Sequence, residues 1–393
     1  MFMKPTPEFQ LLCASARAPW LADNGALSEI IVSGLNWNLL LRGAEQHQVT
    51  PLLFSALQSS GSPLIPKPVL KQLHQRTMLE VCRSLAQVGE IARLSSIFSR
   101  MGINVLLLKG VALSLQLYGN PYTRGGRDID FLVNGTQADA AEKVLKESGY
   151  TAQRDDLLPG QKHVYRTHVK EAEFVNPKMN VCLELHHRLT DNPVLLPWDY
   201  DVLWKEREEL QLTEANVATL PRAMLPLYLC VHGAMHGWER LRWILDFAVL
   251  LDKTPDISTV IAKAREAGLG SVMHQAIVLS QNLIGLPRAN ISLMPRRPAA
   301  IWLDLTLDKL LADSVSLNPP QPGTLRWRYR YSVLMRLYRL AVMPNWAYWK
   351  QEMLREWVSP ADWHLVRLPT SLFWLYPIIR PVGWLLRSLK DRR

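Results

Sequence analysis

Two aspartates one residue apart, Asp128 and Asp130, stand in RGGRDIDFLV at the start of an apolar run. Successive side chains of a strand point to opposite faces, so these two share one face while Ile129, Phe131 and Val133 share the other. The apolar face can pack on helices. The acidic face sets like charges side by side, an arrangement that calls for a cation. Hard divalent ions such as Mg²⁺ are held by one or two carboxylates together with substrate phosphates. A DxD pair also occurs on solvated strand ends, so the pair alone does not decide the matter. A further acid stands in MNVCLELHHRL, where Glu184 alternates with Leu183 and Leu185 and shares a face with Cys182 and His186. A carboxylate at the centre of such a strand is expensive unless partnered. Two metals held among three acids can activate an attacking oxygen and stabilise a leaving one in phosphoryl transfer.

Cations lie near these acids. The run VLLLKG followed by VALSLQLYGN reads as strand, glycine turn and short helix. Gly110 permits close backbone approach, and the following helix N-terminus favours an anion. Lys109, Arg124 and Arg127 are candidates to neutralise triphosphate oxygens; each is equally open to pairing with an acid. Ser114, the first hydroxyl after the turn, is a further candidate for nucleotide contact. Neither GxxxxGK[ST] nor GxGxxG is present. In VHGAMHGWERLRWILD, His232 and His236 lie four apart on one helix face, without the glutamate of HExxH. They are candidates for contact with nucleotide or acceptor, for interface hydrogen bonds including one to Asp246, or for a zinc site with His186 and His187.

The elements that must position these groups are legible in outline. Residues 1–100 read as a helical region, in which Leu70, Leu73, Leu79, Val81, Leu85, Val88, Ile91 and Leu94 recur at helical spacing as a buried stripe. Residues 101–220 read as an α/β unit. Its segments are INVLLLKG and RDIDFLV as strands, TQADAAEKVLKESGY as a helix capped by Thr136 and stopped at Gly149, and HVYRTHVK, EAEFVN and MNVCLELHHRL as extended pieces. Residues 221–315 return to helix, and SLNPPQPGT opens a basic, aromatic-rich segment over 316–393.

Composition narrows the class. The chain of 393 residues is 48% hydrophobic and 20% charged, ordinary for folded protein with more than one structural unit. Its four cysteines form no CxxC pair and read as reduced thiols. The N-terminus lacks a secretory h-region, so a cytoplasmic location is expected. Of the net charge of +10, residues 321–393 carry +9, from 13 basic and 4 acidic side chains, and they hold 7 of the 14 tryptophans. The apolar run near Leu368–Ile379 is too short to span a bilayer. Three readings of residues 326–393 stay open: helices packed back on the body with arginines lining the cleft or solvated, a peripheral contact with the inner face of an anionic membrane, or RNA contact through arginine and aromatic stacking. Nothing signals an obligate oligomer.

The order strand, Lys-Gly turn, short helix, arginine, DxD strand and later acid resembles the polymerase-β-like nucleotidyltransferase superfamily. Within it the chain is most similar to a bacterial family of uncharacterised nucleotidyltransferases, on the evidence of LLLKGVALSLQLYGN, RGGRDIDFLV, LELHHRL and VHGAMHGWERLRWILD, from Leu106 to Asp246. The resemblance implies a mixed α/β sheet with flanking helical regions. It implies that Asp128 and Asp130 bind two Mg²⁺ (or Mn²⁺) ions, with Glu184 as third ligand or as base. The implied reaction moves a nucleoside monophosphate from an NTP to a hydroxyl or phosphate of a small-molecule, sugar-linked or peptide acceptor, releasing pyrophosphate. An RNA-modifying, toxin-like enzyme and an inactive scaffold at the membrane surface are the alternatives. One departure stands out: the superfamily's glycine-serine turn is replaced here by Lys109-Gly110-Val111.

Overall fold

A computed structural model of the chain describes residues 5–20, 24–212, 215–287, 325–355, 368–376 and 378–383, with positions 291, 301, 304–306, 363 and 366. The N-terminal helices are α1 (Pro7–Arg17), α2 (Asn24–Val32), α3 (Trp37–Gln46), α4 (Thr50–Ser60) and the 34-residue α5 (Lys67–Arg100). The α/β portion follows as β1 (Val105–Leu107), α6 (Val111–Tyr118), β2 (Asp128–Val133), α7 (Ala138–Glu147), β3 (Thr151–Ala152), α8 (Pro159–His168), β4 (Glu171–Asn176), β5 (Val181–His186), α9 (Tyr200–Lys205), β6 (Glu208–Leu212) and β7 (Ala215–Thr219). The strands form one mixed sheet in the order β3-β4-β5-β2-β1-β7-β6. β2 lies near its centre, antiparallel to β1 and parallel to β5.

The apolar sides of these strands do what their alternation requires. Ile129, Phe131 and Val133 join Leu183 and Leu185 in a core closed by Val88, Ile91, Leu94 and Phe98 of α5. The other end of α5 contributes Val69 and Leu73 to a second, larger core. That core also takes in the N-terminal helices and α10 (Leu225–Met235), α11 (Leu241–Asp252), α12 (Ile257–Glu266) and α13 (Gly270–Leu283). At about 50 Å, from the helical rise, α5 is long enough to serve both.

Several local expectations need correction. Leu79 and Leu85 are exposed, at 66% and 49%. The middle of α5 faces the polar RGGR loop instead of a core, so Thr77, Ser84 and Gln87 are buried there. Residues 159–168 are helical, not extended: Pro159 suits a first helical turn, the Leu158 N–H donates to Gln161 Oε1 (3.0 Å), and Arg166 and His168 stand in the last turn. Arg166 ties this helix to Asp139 and Glu142 of α7. Thr136 does not cap α7. Its N–H donates to Asn134 Oδ1 and opens a 3₁₀ turn over Gly135–Gln137, from which α7 continues. The hairpin β6–β7 was not apparent in its charged sequence; it adds an edge to the sheet through Leu107 and Thr219.

The segment 316–324 lies outside the described residues. Beyond it, α14 (Leu325–Val342) and α15 (Trp346–Arg355) fold back on the body. Met335, Tyr338, Val342 and Tyr348 join the larger core, and the Tyr338 hydroxyl donates to Gln275 Oε1. Among the described residues no helix is long and apolar enough to cross a membrane.

Candidate active site

The register of two parallel strands builds the site. Asp128 stands opposite Cys182, Asp130 opposite Glu184, and Leu132 opposite His186. Because β2 and β5 present the same faces, Asp128, Asp130, Glu184 and His186 converge on one side of the sheet. Ligand atoms of Asp130, Glu184 and His186 lie within 4.8 Å of one another. Asp128 sits beside them on the same face of β2.

One lysine serves this group of acids. Lys109 Nζ is 2.8 Å from Asp130 Oδ1. Burial alone would raise the Asp130 carboxyl, but Lys109 and His186 outweigh it and hold Asp130 well below the usual carboxylate range. Burial would likewise lower Lys109, and the surrounding acids reverse that. Asp128 and Glu184 have less compensation. Burial and then the Asp130 charge push Asp128 up to about 6, and Glu184 rises for the same two reasons. Burial and the Lys170 ammonium lower His186, keeping it neutral. Its Nε2 faces Asp130 Oδ1 (3.2 Å) and Glu184 Oε2 (3.3 Å), while Nδ1 faces Lys170 Nζ at 3.4 Å. A neutral ring with its proton on Nε2 serves the two carboxylates there, and Nδ1 lies against the Lys170–Glu171 ion pair, 3.2 Å from Glu171 Oε2.

The loop before β2 is held from three sides. Gly110 has φ +58° and ψ −122°, a conformation open to glycine, and a Cβ on Gly126 would lie 3.5 Å from Gly110 Cα. The turn and the loop thus pack side by side; a Cβ on Gly126 would make ordinary contact, and it is Gly110, by its φ, that calls for glycine. Gln87 Nε2 donates to Gly126 O. Arg124 is buried, and its Nε is 2.6 Å from Asp246 Oδ2 on α11; Tyr118 OH donates to Asp246 Oδ1. Arg124 therefore pairs with an acid of the helical region, and Asp246 serves it and Tyr118, not a histidine. Ser114 is fully buried: its hydroxyl donates to Asn120 O and accepts from Arg124 N–H. It braces the loop and does not face the cleft. Arg127 is exposed at the cleft wall.

Above the acids opens a cleft of about 450 Å³. His232 and His236 line it with their rings 4.8 Å apart, edge to face, and Trp243 packs against both. His187 points away and bonds to Arg166 O, so the four histidines form no zinc site. Among the described residues the one group with metal-ligand spacing is Asp130, Glu184 and His186. His186 had a visible signal, two residues after Glu184 on the same face. Lys170, just before β4, and Arg240, in the turn before α11, had none, whereas Arg339 and Arg355 realise the reading of tail helices packed back with arginines lining the cleft.

The donor set fits a hard divalent cation. Three carboxylates gather around the Lys109 ammonium and a neutral imidazole, with Lys170 farther out, and burial followed by the Asp130 charge raises Asp128 and Glu184. A mixed sheet that presents such a set at its centre, beneath a cleft walled by arginine and lysine, is consistent with the nucleotidyltransferase fold. The chain matches the family described as an uncharacterised nucleotidyltransferase over residues 33–285, well over half its length, and belongs to it. No curated protein matches it.

Proposed function

We propose that the protein transfers a nucleoside monophosphate from an NTP to a hydroxyl or phosphate of an acceptor, with release of pyrophosphate. The facing of Asp130 and Glu184 across β2 and β5, with Asp128 alongside, carries this reading. Asp128, Asp130 and Glu184 would hold Mg²⁺ or Mn²⁺, while His186 donates from Nε2 and orients Asp130 and Glu184. When bound, such a cation supplies charge neutralisation at the phosphate oxygens.

The chain's own residues account for the rest. Lys109 keeps Asp130 ionised. Lys170, Arg127 and Arg240, on the cleft wall, are placed to bind phosphate oxygens. The Arg124–Asp246 pair orients the loop that carries Asp128. Glu184, in the alternative to its role as third ligand, is the base that takes the acceptor proton. The acceptor oxygen forms a bond to the α-phosphorus as the bond to the bridging oxygen breaks, and pyrophosphate leaves. No covalent enzyme intermediate is needed, because positioning and charge neutralisation suffice for phosphoryl transfer.

Calorimetry of NTP binding with and without Mg²⁺, paired with a pyrophosphate-release assay, tests the reading on wild type and on Asp128→Asn/Asp130→Asn. Mg²⁺-dependent binding that disappears in the double variant is the expected result. A well-folded wild type that binds no NTP with either Mg²⁺ or Mn²⁺ would overturn it.

A further inference from the structure

The cleft continues past the histidines. Met235, His236, Glu239 and Arg339, which line it, also line a second cavity of about 290 Å³. Tyr331, Ser332, Met335, Arg336 and Arg380 complete that annex. Its far wall is therefore built by α14 and Arg380, beyond the 33–285 stretch that matches the family.

Arg336, Arg339 and Arg380 line the annex, and among the described residues that line it the acid is Glu239, whose carboxylate accepts the Tyr331 hydroxyl at 2.9 Å. Arg339 is the informative member. Its Nη2 donates to Met235 O at 3.4 Å, its Nε is buried without a hydrogen-bond partner, and among the described residues no carboxylate pairs with it. Two other arginines of the cleft differ: Arg124 is met by Asp246, and Arg355 by Asp191 and Glu352. A guanidinium offers five donors in a rigid fork. Nε itself is closed off by protein, but Nη1 makes no hydrogen bond among the described residues and is not fully buried, so an anion in the annex would be met there by the guanidinium fork, the geometry that suits phosphate.

We infer that the annex is an anion pocket for the acceptor, taking the phosphate monoester of a small phosphorylated molecule in the fork of Arg339, with Arg336 and Arg380 adding charge. This rests on the nucleotidyl-transfer reading for the word acceptor; the pocket itself rests on the two continuous cavities and the unmatched arginine. It gives the tail helix a substrate-recognition role.

The same phosphate chemistry could come from the NTP, so the test separates the two sources. Inorganic phosphate is titrated into the full-length protein, alone and with Mg²⁺ and a saturating non-hydrolysable ATP analogue. Wild type is expected to bind phosphate in both conditions. Arg339→Gln should weaken phosphate at least tenfold while analogue affinity stays within twofold, and Arg339→Lys should fall between. Arg336→Gln, at an exposed position, should weaken phosphate a few-fold and guards against misfolding of the Arg339 variants. Competition between phosphate and analogue, with Arg339→Gln weakening the analogue instead, would overturn the inference by assigning Arg339 to the triphosphate. So would unchanged phosphate binding in an Arg339→Gln protein that melts normally. Absent analogue binding beside intact, Arg339-dependent phosphate binding would sink the transfer reading alone and uphold the anion pocket.

Discussion

Lys109 Nζ and Asp130 Oδ1 lie 2.8 Å apart with both side chains nearly out of solvent, at 13% and 2% exposure. This pair anchors the electrostatics of the site. Lys109→Met leaves the crowded acids without their ammonium, and breaking one partner of a buried pair costs about 3–5 kcal/mol. The expected result is a loss of that order in urea unfolding without metal, with millimolar Mg²⁺ restoring more stability to the variant than it adds to wild type. Equal Mg²⁺ effects on both proteins would count against a cation among these acids.

Asp128 carries charge at a cost to the fold. Its carboxyl is pushed up to about 6 by burial and by Asp130, a shift equivalent to about 2–3 kcal/mol once the side chain is ionised. Asp128→Asn should therefore stabilise the metal-free protein, by about 1–2 kcal/mol at pH 7.5, while lowering Mg²⁺-dependent nucleotide binding at least a hundredfold. Chemical denaturation and calorimetry on one sample read both. Destabilisation together with loss of binding would mean that Asp128 serves the fold.

Asp246 touches none of the acids yet receives Arg124 and Tyr118. In Asp246→Asn the buried Arg124 keeps its charge and loses its carboxylate, so the RGGR loop loses its tether to α11. Turnover is expected to fall at least tenfold under conditions where circular dichroism shows the variant folded. Tyr118→Phe removes one hydrogen bond, costs about 1 kcal/mol, and should leave turnover within a factor of three. A fully active Asp246→Asn protein would rule out this positioning role.

Burial holds His187 down to about 4 while its ring bonds to Arg166 O. The unfolded chain takes up a proton near pH 6.5, and the folded one does so only near 4. The unfolded state therefore binds more protons between those values, so the contribution is complete above about pH 6.5 and is lost as pH falls. At pH 5.5 wild type should have lost about 1 kcal/mol that His187→Gln retains. Parallel pH profiles of unfolding free energy for the two proteins would show no such gap if His187 were solvated.

How much of this the residues announce depends on the range of the interaction. Strand alternation is a property of the covalent chain, so Asp128 and Asp130 opposite Ile129, Phe131 and Val133, and Glu184 beside His186, were legible by position alone. The Lys-Gly turn was equally visible. Partners of the charges were not. Arg124 was open equally to a phosphate or an acid, and its partner is Asp246; Ser114, a candidate nucleotide contact, braces the loop. The helix over Pro159–His168 was missed because its polar composition hides the 3.6-residue period, and its ion pairs with α7 come from distant sequence.

The sequence by itself determined which side chains share a face and which short segments are apolar enough to be core, because both follow from local geometry and hydrophobicity. Only the tertiary structure decided that β5 lies parallel to β2 in the register that sets Glu184 against Asp130, and that α14 returns to place Arg339 in the cleft wall. Those outcomes depend on long-range packing, where each buried charge takes whichever partner the cores bring within reach, and no local pattern encodes that choice.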